Sequence, residues 1–195
     1  VIEVLTQVAA NLKPGALVVS VAAGITTAAM QAAVADNVAV VRAMPNTPAI
    51  VGRAVTGLAA GSRVTPEQLA TASELFESVG RVVVVGEDQI DQLSTVSGSG
   101  PAYVFYFIEE FTKAAVELGF TPDQARMLVE ETFLGASELL AASGKTPADL
   151  RRQVTSPNGT TMQAIAVFEQ ANLHELFGRA TAAALARARE IAAGK

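Results

Sequence analysis

The stretch Leu17-Val18-Val19-Ser20-Val21-Ala22-Ala23-Gly24-Ile25-Thr26 decides the fold. Its opening residues form an almost continuous apolar run, which suits a strand covered on both faces. Gly24 breaks the run, and Thr26 can cap a helix reaching about Val34. The same alternation extends outward in both directions. Upstream, Val1, Val4, Leu5, Val8 and Leu12 recur at helical spacing until Pro14-Gly15 ends the pattern. Downstream, Val38–Val41 reads as a second buried strand, Val55–Ala60 as a third and Val82–Val85 as a fourth. Thr65-Pro66-Glu67-Gln68 is a capping box with proline at the first helical position, and its helix runs to about Gly80. Pro45-Asn46-Thr47-Pro48 must be an irregular loop, because two prolines so close together fit neither a helix nor a central strand. Alternation of this kind argues for an α/β sheet with helices on its faces.

After about Glu87 no further β-rich run appears. Pro101–Leu118 is apolar almost all round its first turns, so that helix is expected to be buried within the domain or in a partner. Gly119 ends it. Thr121-Pro122-Asp123-Gln124 is a second capping box and opens a helix to about Ala142. Thr146-Pro147 starts a short helix, Thr155–Thr161 is a polar break, and helices are expected over Met162–Gln170 and Leu173–Ala192. The reading therefore divides the chain into an α/β part, residues 1–90, and an all-helical part, residues 91–195. Four strands without a glycine-rich phosphate turn make an incomplete dinucleotide-binding fold, short of roughly 60 residues. The chain also begins at Val1 inside a helical pattern, without an initiator methionine, and a truncated start is the expectation.

Composition excludes several function classes. The chain has 195 residues, half of them hydrophobic, with 14 basic and 19 acidic side chains. A net charge of −5 without a basic run argues against a nucleic-acid partner. Without cysteine there are no disulfides and no thiolate metal sites. A lone histidine, His174, cannot build a metal cluster, and no metal is expected. No apolar run approaches the length of a membrane span, and the first residues show no signal peptide. A cytoplasmic protein is the expectation.

Three segments hold residues that structure alone does not demand. Val21-Ala22-Ala23-Gly24-Ile25 ends a strand, where ligands sit in open α/β sheets, and its small side chains let a flat ring approach the backbone. An ordinary strand-to-helix turn is the plainer reading. Arg42-Ala43-Met44-Pro45-Asn46-Thr47-Pro48 also follows a strand. Asn46 holds a donor and an acceptor between two stiff prolines and suits a ligand amide; it equally suits a rigid loop braced by its own side chain. Val154-Thr155-Ser156-Pro157-Asn158-Gly159-Thr160-Thr161 leads into a helix N-terminus. Unpaired amides and the helix dipole favour an anion there, and a carboxylate is the natural guest. Simple capping by Thr160 or Thr161 is the alternative, but capping needs one hydroxyl, not four.

Ser97-Gly98-Ser99-Gly100-Pro101 is a poor match to a nucleotide loop and reads as a helix start packed tightly against a neighbouring backbone. Lys113 and Glu117 have the spacing of an i,i+4 pair. Glu109, Glu110, Glu130 and Glu131 read as solvated faces, and His174 as a solvated or capping residue. A hydrolase triad around the lone histidine has no support.

Taken in order, these segments resemble pyrroline-5-carboxylate reductase. The most specific part is Val154-Thr155-Ser156-Pro157-Asn158-Gly159-Thr160-Thr161-Met162-Gln163-Ala164-Ile165 with Phe168-Glu169, similar to the family's C-terminal signature. Asn158 stands where many members have glycine, a mild departure since asparagine tolerates left-handed backbone. Val96–Tyr103 and Arg42–Pro48 match the family pattern too. The resemblance implies a Rossmann domain for NADPH or NADH and a helical domain that dimerises, giving a homodimer or a larger homo-oligomer. It implies reduction of 1-pyrroline-5-carboxylate to L-proline. By position it assigns substrate binding to Ser156, Gly159, Thr160 and Thr161, with Thr161 as the catalytic residue near the ring nitrogen. Ala22, Ala23, Gly24, Met44, Pro45 and Asn46 would line the nicotinamide side. The family's glycine-rich turn is expected before Val1, so this chain by itself could be inactive.

Two other readings stay open on the residues. One is another dehydrogenase with a Rossmann plus helical architecture, for which Lys113 is a candidate acid or base, although Glu117 stands where an asparagine is expected. The other is a non-catalytic dimeric fragment, with the apolar helix Pro101–Leu118 as an assembly element.

Overall fold

The computed structural model describes residues 1–192. The chain forms two compact units, Val1–Pro101 with Ala180–Lys195, and Ala102–Arg179. In the first, helix α1 (Ile2–Val8) continues into a 3-10 turn at Ala9–Asn11, strand β1 (Leu17–Ser20) follows, and helix α2 (Thr27–Gln31) opens on Thr26, whose hydroxyl accepts from the Ala29 amide. Strands β2 (Ala39–Met44), β3 (Ala54–Ala60) and β4 (Gly80–Val84) complete one sheet in the order β1-β2-β3-β4. Helix α3 (Pro66–Glu77) joins β3 to β4 and starts with the expected capping box: the Gln68 amide donates to Thr65 Oγ1 at 3.2 Å, and the Thr65 amide donates to Gln68 Oε1 at 3.0 Å.

Side chains alternate across the sheet, as a strand requires. Val40 packs on one face with Leu5, Met30, Val34 and Val38 under α1 and α2. Val41 and Ala43 pack on the other with Leu58 and Ala72 under α3. Both faces are thus covered. Two details differ from the sequence reading. Strand β1 is only half-buried along its length, and Val21 is 60% exposed, because β1 lies at the edge of this sheet. And β2 pairs antiparallel with β3, with Met44 opposite Gly57, while the β1–β2 and β3–β4 pairs are parallel. The connection over residues 45–53 holds one 3-10 turn, Thr47–Val51, and no crossover helix; a short connection of this kind returns the chain antiparallel.

Beyond β4, helix α4 (Ile90–Leu93) runs into a π-helical turn at Ser94–Gly98, and helix α5 (Gly100–Glu117) begins. Helices α6 (Pro122–Ser143) and α7 (Pro147–Gln153) each open on a threonine capping box, at Thr121 and Thr146. Helix α8 (Thr160–Gln170) follows the polar break, and α9 (Leu173–Ala192) follows Asn172, which sits at φ 49°. The second unit has a small core, Ala115, Ala125 and Val129 with Ile108 and Phe133 against it. Much of its apolar surface faces outward: Phe105 is 66% exposed, Tyr106 61% and Phe111 51%. Of the two covers expected for α5, the domain or a partner, the domain does not supply its own.

Lys113 does not pair with Glu117. It reaches back along α5 to Glu109 at 2.7 Å and Glu110 at 2.8 Å, because helical side chains lean toward the N-terminus. The hydrogen bond to Glu109 first, then that to Glu110, holds the ammonium well above the ordinary lysine value. The expected tight approach of backbone at Gly98 and Gly100 is also absent. The nearest neighbours to a Cβ on Gly98 are the side chains of Ser94 and Met44, and Gly100 has open space around it. Close backbone approach occurs instead at Gly80, where a Cβ would stand 2.2 Å from the Ala54 carbonyl oxygen.

Candidate active site

The carboxyl ends of β1 and β2 open onto a cleft of about 290 Å³. Small residues form much of its wall: Ala23 and Gly24 after β1, and Ala184 and Ala188 from α9. Met44, the last residue of β2, adds an apolar side chain, and Ser94, Thr95 and Ser99 add hydroxyls. Gly24 has φ +76°, and a Cβ there would lie 3.3 Å from Ile191 Cγ2, so the turn both needs glycine and keeps the wall thin. Arg42, Asp91 and Arg187 add charge to the lining, and Ile191 adds a further apolar side chain. The alanine, glycine and methionine part of the wall suits a flat nicotinamide ring, and the hydroxyls suit its carboxamide. Of the six residues expected on this side, Ala23, Gly24 and Met44 lie in the wall, while Ala22, Pro45 and Asn46 lie outside its lining.

Asn46 engages both ends of its amide with the protein. Its Nδ2 donates to the Ser97 carbonyl at 2.9 Å, and its Oδ1 accepts from the Val55 amide at 2.9 Å. The side chain thus braces the loop, tying it to the start of β3 and to the π-helical turn.

Arg42, two residues before Met44, is buried with its side chain 5% exposed. Its Nη1 donates to Glu87 at 2.7 Å and its Nη2 to Asp91 at 3.1 Å. The other oxygen of Glu87 accepts from the Thr27 amide at 3.2 Å. Sequence reasoning passed over this network, and over the α9 wall. The signal for the first was available: a charge within the apolar strand Ala39–Met44 must find partners.

In the helical unit the polar break delivers Ser156, Gly159, Thr160 and Thr161 to the start of α8. The cap position is Gly159, which offers no side-chain bond, and Thr160 and Thr161 stand inside the first turn. Capping by either threonine is therefore not what their hydroxyls do. Among the described residues, the amides and hydroxyls of Thr160 and Thr161 have no hydrogen-bond partner, and neither does the Ser156 hydroxyl; Thr155 Oγ1 donates to the Arg151 carbonyl at 2.6 Å. Unpaired donors at the positive end of a helix dipole make a receptive point for an anion. Asn158 holds φ 60°, the left-handed conformation expected of it. A Cβ on Gly159 would come 2.4 Å from Ser156 Oγ, so the loop folds back over its glycine. Among the described residues, no group of three or more His, Cys, Asp or Glu could hold a metal ion, and no helix is long and apolar enough to cross a membrane.

Comparison with known proteins gives this geometry a family. Residues 87–191 match the family described as pyrroline-5-carboxylate reductase dimerisation. A pyrroline-5-carboxylate reductase of Synechocystis sp. is 41% identical over 192 residues, covering 97% of this chain and 72% of that protein. The structure of a pyrroline-5-carboxylate reductase from Coxiella burnetii superposes with a TM-score of 0.92 at 41% identity, covering 97% of this chain and 71% of that one. The crystal structure of Plasmodium falciparum pyrroline carboxylate reductase, with NADP bound, gives a TM-score of 0.85 at 26% identity over 98% of this chain and 77% of its own. The fold is accordingly a Rossmann-type α/β unit with an all-helical unit, and the chain belongs to the pyrroline-5-carboxylate reductase family.

Proposed function

We propose that this chain reduces 1-pyrroline-5-carboxylate to L-proline, the closing step of proline synthesis, with residues 1–90 serving the cofactor together with the cleft wall at Ser94–Ser99 and in α9, and the rest of residues 91–195 serving the substrate and dimerisation. The observation that carries the reading is the correspondence in sequence and fold along 97% of the chain with a reductase of that name. NADPH or NADH, when bound, supplies the hydride. The part left to the protein is positioning. Ala23, Gly24 and Met44 wall the side on which a nicotinamide lies, with Ala22 in the same turn, and Asn46 braces the loop that begins at Pro45. Ser156, Gly159, Thr160 and Thr161 hold the substrate carboxylate and ring against the start of α8, where unpaired amides meet the negative charge.

A cyclic imine protonated on nitrogen is already electrophilic. The reaction therefore asks for near-attack geometry more than for a strong acid or base. Thr161 orients the proton on the ring nitrogen through its hydroxyl. Thr161→Ala is expected to lower kcat/KM by roughly 100-fold or more; an unchanged value removes the residue from the mechanism. The reaction itself is tested by following oxidation of NADPH and of NADH optically after adding 1-pyrroline-5-carboxylate. The assay is run on this chain and on a version with a full-length start; turnover by neither would sink the assignment.

A homodimer goes with the reading, supported by the dimerisation family match over 87–191 and by the outward-facing aromatic residues of α5. A cytoplasmic location is part of the same reading, because a nicotinamide-dependent reductase needs a pool of reduced cofactor.

A further inference from the structure

We infer that Arg42 is a positioning residue of the cofactor side: its buried guanidinium sets the three backbone segments that wall the cleft. The inference rests on the reading of that cleft given under Proposed function.

The first observation is electrostatic. Arg42 is 5% exposed in a strand whose other buried members are Ala39, Val40, Val41 and Ala43. Burying a cation is expensive even when it is paired, and an apolar residue of similar volume often serves stability as well or better. Its Nε is also buried and has no hydrogen-bond partner among the described residues.

The second observation is topological. Glu87 bridges Arg42 to the Thr27 amide, which opens α2 directly after the Ala22–Gly24 turn. Asp91 lies in α4, which leads into Ser94 and Thr95 of the cleft wall. Met44 lies two residues further along the strand that carries Arg42. One planar fork therefore ties together the turn after β1, the end of β2 and the segment after β4. Lysine keeps the charge but lacks the fork, so it cannot serve both carboxylates in the same geometry.

Arg42→Lys and Glu87→Gln are the informative variants. The glutamine retains an acceptor for the Thr27 amide and is the milder change should the buried position not tolerate lysine. Two readouts are taken on the full chain. Amide hydrogen exchange is followed over residues 22–29 and 44–55, with Val38–Val41 as an internal reference for the sheet. The Kd of NADPH is measured by the cofactor's own fluorescence, alongside KM for each substrate. Exchange is expected to rise in the two wall segments and not in Val38–Val41. NADPH Kd and KM are expected to rise about tenfold, with KM for 1-pyrroline-5-carboxylate held within about twofold, as for a displaced ligand wall.

Exchange that is unchanged, or that rises equally in Val38–Val41, overturns the clamp whether or not the protein is active. Faster wall exchange with unaltered NADPH affinity overturns the positioning role and leaves a stability contact only. A parent protein that neither binds NADPH nor turns over, even in a version with a full-length start, overturns the functional reading, and with it the positioning role of Arg42, while exchange still decides the clamp.

Discussion

At Gly24 a backbone conformation and a steric limit coincide. The residue sits at φ +76°, and any Cβ would stand 3.3 Å from Ile191 Cγ2. Gly24→Ala is expected to lower stability by about 1–2 kcal/mol, the usual cost of left-handed backbone for a residue with a Cβ, with the Ile191 contact adding to it. Urea denaturation measures it directly, and a change below experimental error would mean that the turn relaxes. Not every residue was equally legible in the sequence. Gly24 announced itself by breaking an apolar run, and Asn158 by standing where many members of the family have glycine. The bonds of Asn46 to Ser97 and Val55 were hidden, since one partner lies 51 residues away and no local pattern records it. Arg42 was quoted as part of a motif without its reason, because Glu87 and Asp91 follow 45 and 49 residues later.

Helices were legible where they carry their own start signals. The boxes at Thr65 and Thr121 were read from four residues each and are formed as read, with Pro at the first helical position. Thr121→Ala removes the bond from the Gln124 amide and is expected to cost about 0.5–2 kcal/mol, measurable as a lower urea midpoint with an unchanged slope. Strand direction was not legible. Apolar runs mark β2 and β3 but do not say that they pair antiparallel; that follows from the brevity of the loop between them. On α5 the rival chemistry of Lys113 is open to test. Lys113, raised by Glu109 and Glu110, has a folded value above its unfolded one. The stabilisation from that pair is therefore complete below the unfolded lysine value and fades only as pH climbs through the folded one. Across about pH 6–9 the ammonium stays charged. Lys113→Met is expected to leave the pH profile of kcat/KM unchanged; loss of a limb from that profile would restore a lysine acid or base.

The units of the whole molecule differ in how far they satisfy themselves. The α/β unit covers both faces of its sheet, whereas the helical unit has three buried apolar residues at its centre and large aromatic side chains facing out. Exposed apolar surface of that kind marks an association face, and the family match over 87–191 names dimerisation. Sedimentation is expected to give an oligomer. Phe105→Asp combined with Tyr106→Asp is expected to shift it toward monomer, to lower Tm and to weaken the dependence of Tm on protein concentration. An unshifted oligomer would move the interface off this part of α5. The sequence carried half of this: the all-round apolar character of Pro101–Leu118 was plain, but whether its cover comes from within the domain depends on tertiary packing.

The start of α8 has one more consequence. Helices α2, α3, α6 and α7 close their first turns with a threonine side chain, whereas α8 has Gly159 at that position and leaves its donors to whatever anion arrives. Choosing a buffer for this protein is then choosing a competitor. On the proposed reading of this turn, acetate or formate in an assay is expected to compete with the substrate carboxylate and depress the measured affinity.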